Sequence, residues 1–209
     1  MAEYLSRWRA QNGVDLAMRL MRPEDAQRVR LALNQLSPDS RRHRYFRAVA
    51  DFSDEMVAEL VVIDPLKQWA VLVVQVEKGI EIAVAGGRFV AESNISCEFS
   101  LLVGDRWQGQ GIGRHILLAL IGEASHRGLT EMTGYVMSEN RPMIALARSM
   151  DFQVNESEEG ESVKRLVRSL PRPSAGKLDR LAHKVFGRGG KTTRVKAVQA
   201  PPDFESENN

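Results

Sequence analysis

The stretch that most constrains this chain runs over residues 95–113, ISCEFSLLVGDRWQGQGIG, and passes directly into an apolar helical run over 114–126. A strand-like segment enters a glycine-rich loop and the loop opens a helix. Backbone N–H groups and the positive end of a helix therefore converge on one spot, which suits phosphate. A single carboxylate, Glu98, stands on the strand, upstream of the glycines.

The residues around the glycines separate the kinds of phosphate loop. A P-loop needs Lys and then Ser or Thr after its last glycine, whereas Gly113 is followed by Arg114 and His115. The dinucleotide fingerprint G-x-G-x-x-G needs glycine where Arg114 stands, and it needs strands that alternate with helices. The strands before this loop read instead as a meander. Residues 69–76 (WAVLVVQV) are rich in β-branched side chains, residues 80–90 form a second strand with an expected bulge at Gly86-Gly87, and the opening stretch forms the third.

Taken in order, residues 14–21 form a first strand, ended by Arg22-Pro23. Val29, Leu33 and Leu36 recur at helical spacing over 26–36, and Ser37 is placed as an N-cap before Pro38. The run 41–50 (RRHRYFRAVA) sets four arginines around Tyr45 and Phe46, and reads as a solvated helix face with two aromatics turned to the core. A short helix over 53–63, capped by Ser53, completes a helical pair. Beyond the glycine loop, Ile112, Ile116, Leu117, Leu120 and Ala124 share one helix face, ended by Gly128. A strand over 131–137, a helix over 140–150, and a hairpin from 152–154 and 162–167 follow. The expected order is β-α-α-β-β-β-α-β-α-β-β, a mixed α/β (α+β) domain over 14–169 with a mostly antiparallel sheet flanked by helices. An irregular arm over 1–13 precedes it, and a basic, disordered tail over 170–209 follows.

Strand alternation puts Ile95, Cys97, Phe99, Leu101 and Val103 on one face of the opening strand, and Ser96, Glu98, Ser100 and Leu102 on the other. From Glu98 to Val103 the strand advances about 16 Å at roughly 3.3 Å per residue, comparable with an extended pantetheine arm. Cys97 reads as a small buried residue on the face opposite Glu98.

Composition bears on partners and compartment. The formal net charge is +2, so no overall basicity argues for nucleic acid. One cysteine excludes an intramolecular disulfide and suits a reducing compartment, the cytoplasm being the expectation. The first residues carry no apolar signal region, no window approaches a membrane span, and the four histidines lack metal-ligand spacing, so neither membrane nor metal is expected. The oligomeric state is open.

The pattern Gln108-x-x-Gly111-x-Gly113 resembles the pyrophosphate loop of the GNAT superfamily of acyl-CoA-dependent N-acyltransferases, usually written Q/R-x-x-G-x-G/A. A second motif of that family, N-x-x-A-x-x-L-Y-x-x-x-G-F, has partial counterparts in Asn140, Met143, Leu146 and Phe152. The phrases LSPDSRRHRYF, CEFSLLVGDRWQGQGIG and ENRPMIALARSMDF resemble the acetyltransferase module of bacterial protein-lysine acetyltransferases.

The resemblance covers nearly all of 14–167 and implies acetyl-CoA as cosubstrate. Leu101, Leu102 and Val103 would line the pantetheine, Gln108, Gly109, Gln110, Gly111, Ile112 and Gly113 would cradle the pyrophosphate, and Asn140 would bind near the pantetheine. It implies a primary amine as acceptor, a protein lysine being one candidate. Such an amine is mostly protonated at neutral pH and needs a base before attack, a role for which Glu98 is the candidate. Two departures stand out: Ala147 replaces the tyrosine that protonates the leaving thiolate in many members, and Asp151 replaces the glycine before the final Phe. Either Tyr135, otherwise read as core, supplies the proton, or the thiolate leaves unprotonated. The rival reading is a non-catalytic acyl-CoA-binding sensor.

Overall fold

The computed structural model describes residues 3–171; from residue 172 the expected basic tail lies outside the described residues. In chain order the elements are β1 (Ser6–Arg9), β2 (Asp15–Leu20), α1 (Ala26–Asn34), α2 (Pro38–Tyr45), α3 (Asp54–Val61), β3 (Gln68–Glu77), β4 (Ile80–Ala91), β5 (Ser96–Val103), α4 (Ile112–His126), β6 (Glu131–Met137), α5 (Arg141–Ser149), β7 (Gln153–Glu156) and β8 (Val163–Ser169). The strands form one sheet in the order β1-β2-β3-β4-β5-β6-β8-β7. Every pairing is antiparallel except that of β5 with β6, which the α4 crossover makes parallel.

The period-two pattern of β3 explains why helices cover both faces. Val71 and Val73 join the core beneath α4, where Ile112, Ile116, Leu117, Leu120 and Ala124 pack as the helical spacing predicts. Leu72 and Val74 point the other way and meet Val29, Leu33, Leu36, Val57 and Val61 of the α1–α3 layer. Ser37 and Ser53 cap α2 and α3, accepting hydrogen bonds from the Ser40 and Met56 N–H groups at 3.2 Å.

Several expectations are corrected. The arm over 1–13 contains an edge strand: residues 6–9 pair with 15–18 of β2. Three helices, not two, separate β2 from β3, because Phe46 in the left-handed region (φ 56°) ends α2 before α3 begins. The bulge lies at Val84 rather than Gly86-Gly87, since Val73 pairs with Ala85 and Val74 with Ala83. The carbonyl of Val84 accepts the Gly104 N–H at 2.9 Å.

Nor is the arginine run simply a solvated face. Arg41 binds the carbonyls of Asn34 and Leu36, Arg42 pairs with Glu139, and Arg44 turns inward to Ser100. Tyr45 packs on Phe52 at 5.5 Å between ring centroids, while Phe46 is exposed.

One buried ion cluster ties the first strands together. The Arg19 guanidinium, 2% exposed, donates to both oxygens of Asp25 at 2.7 Å and to Glu81 at 2.6 Å. Tyr4 donates to Glu81 at 2.7 Å, and Arg28 also reaches Asp25. Burial pushes the Asp25 carboxyl up, and Arg19 more than offsets it, leaving it below the usual value.

Candidate active site

The sheet opens where β5 leaves β6. The parallel pairing comprises Ser96↔Glu131, Cys97↔Met132 and Glu98↔Thr133. Past that point β5 runs to Val103 on β4 alone, and β6 runs to Met137 on β8 alone. At the first unpaired step the Phe99 ring packs on the backbone of Gly134, where a Cβ would stand 2.6 Å from the ring. The backbone groups of residues 99–102 that face the opening are thus free to bind an extended amide chain as a strand would, while the Val103 carbonyl accepts from the Gln108 side chain. A groove of about 890 Å³ follows the opening, bounded by Glu98, Ser100, Tyr135, Asn140 and the glycine loop.

At its far end a 3-10 turn over Asp105–Trp107 leads into Gly109 (φ 72°) and Gly111 (φ 78°), conformations that favour glycine. Gly111 is the N-cap of α4, and no side chain caps the helix. The first helical acceptor is the Gly111 carbonyl, which the His115 N–H reaches at 3.3 Å. The N–H groups of Ile112, Gly113 and Arg114 therefore open toward the groove with the positive helix end behind them. Gly113 lets α5 approach: a Cβ there would lie 3.1 Å from Leu146.

The remaining loop residues brace the cradle. The Gln108 N–H is spent on the Asp105 carbonyl at 3.3 Å, and its side chain donates to Ser40 Oγ and the Val103 carbonyl, each at 3.3 Å. Gln110 Oε1 accepts the Asn12 N–H at 2.9 Å, and Trp8 stacks on His115 at 4.5 Å, so the β1–β2 hairpin leans on the loop. Asn140 is the N-cap of α5, with Oδ1 accepting the Met143 N–H at 3.1 Å; its amide nitrogen stays available beside the groove.

Glu98 sits at the head of the opening, half-buried, with no side-chain hydrogen bond among the described residues. Burial pushes its carboxyl above the ordinary glutamate value, Glu92 and Glu159 add to this, and Arg44 opposes it. On β6, Thr133 pairs with Glu98, so Tyr135 lies two residues further along the same face. Tyr135 is 37% exposed and lines the groove, which corrects its reading as core. Ala147, by contrast, is wholly buried. Burial pushes the Cys97 thiol up to about 12, consistent with an inert core residue.

Contacts that the spacing did not reveal hold α2 across this groove. Asp105 accepts from the Ser37 N–H and Oγ at 2.9 Å and from Ser40 Oγ at 2.6 Å. On the opposite bank Arg42 and His43 meet Glu139, the residue before Asn140. Ser37 was legible only as a cap, and nothing local marked its partner.

A split parallel pair with a phosphate-type loop at one end and a lone carboxylate at the other has the shape to receive a long phosphorylated chain beside an acid. The acetyltransferase (GNAT) family pattern matches residues 35–152, and the chain belongs to that family. It is accordingly an acyl-CoA-dependent N-acetyltransferase. An acetyltransferase of Pseudomonas aeruginosa is 28% identical over 142 residues, spanning 68% of this chain and 76% of its own. The GNAT domain of S. lividans PAT has the same fold, with a TM-score of 0.71 at 21% identity over 79% of this chain and 96% of its own. So does yncA of Salmonella typhimurium, determined with its cofactor acetyl-CoA, with a TM-score of 0.58 at 19% identity over 76% of this chain and 96% of its own.

Proposed function

We propose that this protein transfers an acetyl group from acetyl-CoA directly to a primary amine, with Glu98 as general base. The observation that carries the proposal is the position of Glu98: a hydrogen-bond-free, desolvated carboxylate at the head of a groove whose other end is the uncapped start of α4. Acetyl-CoA, when bound, supplies an activated acyl thioester and a diphosphate for anchorage. The N–H groups of residues 109–114 fit the diphosphate, because they are unspent and backed by a helix dipole. The free edge of β5 at Leu101, Leu102 and Val103 fits the pantetheine amides, and the Asn140 amide faces the same channel.

Glu98 takes a proton from the ammonium form of the acceptor, directly or through one water, and releases a nucleophilic amine. Its raised proton affinity makes its carboxylate a stronger base than that of a surface glutamate. Backbone N–H groups on the free β5 edge are placed to stabilise negative charge on the acyl oxygen. Tyr135, on the same face as Glu98 across the opening, is the hydroxyl available to protonate the departing thiolate in place of the missing tyrosine at Ala147. The likeness to bacterial protein-lysine acetyltransferases makes a protein lysine one candidate acceptor, to be tested against free amines. The lone buried thiol supports a cytoplasmic setting. Among the described residues no helix is long and apolar enough to cross a membrane.

The test is thiol release from acetyl-CoA across a panel of amines, with Glu98→Gln as the variant. Full activity in a folded variant would remove Glu98 from the mechanism. Tight acetyl-CoA binding with no thiol release for any amine would favour the sensor.

A further inference from the structure

A second cavity, of about 450 Å³, lies on the α1–α3 side of the sheet and touches the groove through Arg44, Ser100 and Leu102, which border both. Its lining is mostly apolar, with Leu33, Leu36, Leu60, Leu72 and Leu102, and includes Asp105 and Arg106 among its charged residues. Two guanidinium groups stand at the junction. Arg88 of β4 is the register partner of Ser100 of β5, so both side chains share the face that carries Glu98. Arg44 reaches over from α2 and donates to Ser100 Oγ at 3.1 Å.

Neither arginine forms an ion pair among the described residues. Arg88 spends its donors on the Glu59 carbonyl and Gln68 Oε1 at 2.7 and 2.9 Å. The single hydrogen bond of Arg44 leaves its remaining N–H groups unused beside the groove. Two unneutralised cations against an apolar cavity are costly unless an anion joins them. Glu98, whose charge acts on Arg44, forms no ion pair with it and is left free to act as base, while Asp105, which also borders both cavities, is engaged by Ser37 and Ser40.

We infer that the acceptor is a small apolar α-amino acid, or an amine of the same plan, with its carboxylate on Arg44 and Ser100 and its side chain in the α1–α3 cavity. The inference rests on acetyl transfer at Glu98 and names the substrate class for that site. Glu98 and Ser100 lie two residues apart on one face, about 7 Å along the strand. A single carbon bearing an amine, a carboxylate and an apolar branch reaches Glu98, Arg44 and the cavity at once. A polyamine would bring like charge to Arg44 and Arg88, and a lysine side chain within a protein brings no carboxylate to that position.

The experiment compares leucine with leucinamide, glycine, spermidine and a lysine-containing peptide. Thiol release from acetyl-CoA is followed, and in parallel the thermal shift that each amine produces in the protein saturated with CoA. Leucine is expected to exceed leucinamide and glycine by at least about tenfold in kcat/KM, because the amide loses a charge-assisted bond and glycine loses the apolar burial. Arg44→Gln is expected to raise the KM for leucine and to close the gap to leucinamide, and Arg44→Lys to restore part of it. Turnover of spermidine or of the lysine peptide, with leucine inert, would overturn the inference and leave acetyl transfer standing. A leucine-specific thermal shift without thiol release would support the amino-acid site and overturn catalysis at Glu98. Equal response to leucine and leucinamide, or to none of the amines, would overturn the inference outright.

Discussion

Gly87 of β4 and Ile116 of α4 approach so closely that a methyl group on Gly87 would stand 2.3 Å from Ile116 Cγ2 and 3.3 Å from Leu101 Cβ. The missing side chain lets α4 settle onto the sheet and so sets the height of its N-terminus above the groove. Gly87→Ala is expected to destabilise by about 1–3 kcal/mol through overpacking, read from urea unfolding, and to weaken acetyl-CoA binding as α4 lifts. An unchanged unfolding midpoint would show that α4 shifts without strain.

Glu98→Gln is expected to lower kcat/KM by about 10²–10⁴-fold while retaining acetyl-CoA binding. The wild-type rate should fall on the acid side with an apparent pKa above the ordinary glutamate value, and the variant should lose that limb. Stability moves the other way. Burial raises the folded-state pKa of Glu98, so its stabilising contribution is present below the unfolded-state value and is lost as pH rises through the folded one. Above the folded-state value the ionised carboxylate costs stability, and there the variant should melt higher than the wild type.

Tyr135→Phe removes the hydroxyl proposed to stand in for the absent one at Ala147. The loss should fall on kcat, by about a hundredfold or less, since a thiolate of reference pKa near 8.5 is already a fair leaving group. A full rate with Phe at this position would show that the thiolate leaves unprotonated.

Arg19→Met should destabilise by about 3–5 kcal/mol, because it strands the buried Asp25 carboxylate. Pairing it with Asp25→Leu should recover much of the loss. Asp25 and Glu81 both titrate below the usual carboxylate range, so their contribution is present above the unfolded-state values and lost as pH falls through the folded ones. The double variant should therefore show a shallower loss of stability in acid than the wild type.

Cys97, fully buried and pushed up to about 12, should resist iodoacetamide at neutral pH in the native protein and react promptly in denaturant. Rapid native labelling would mean that the β5–β6 contact opens.

What could be read from the sequence and what could not divides along the range of the interactions. The alternation of β5 follows from side chains two residues apart, so the separation of Glu98 from Cys97 and Phe99 was legible. The helical spacing of Ile112, Ile116 and Leu120 was legible for the same reason: backbone geometry repeats locally, and apolar burial selects one phase of it.

Tertiary structure alone decided how those pieces meet. Tyr135 read as core because a strand of this composition is ordinarily paired on both sides, and only the separation of β6 from β5 after Thr133 turns it to the groove. Arg44 read as surface because its partner Ser100 lies 56 residues away, and the Asp105 that secures Ser37 lies 68 away. Residues 95–113 by themselves determined a strand, a phosphate-type loop and a helix start. Whether Glu98 would face an opening, an apolar cavity and an unpaired arginine depended on long-range packing of α2 and β6, whose free energy no local periodicity records.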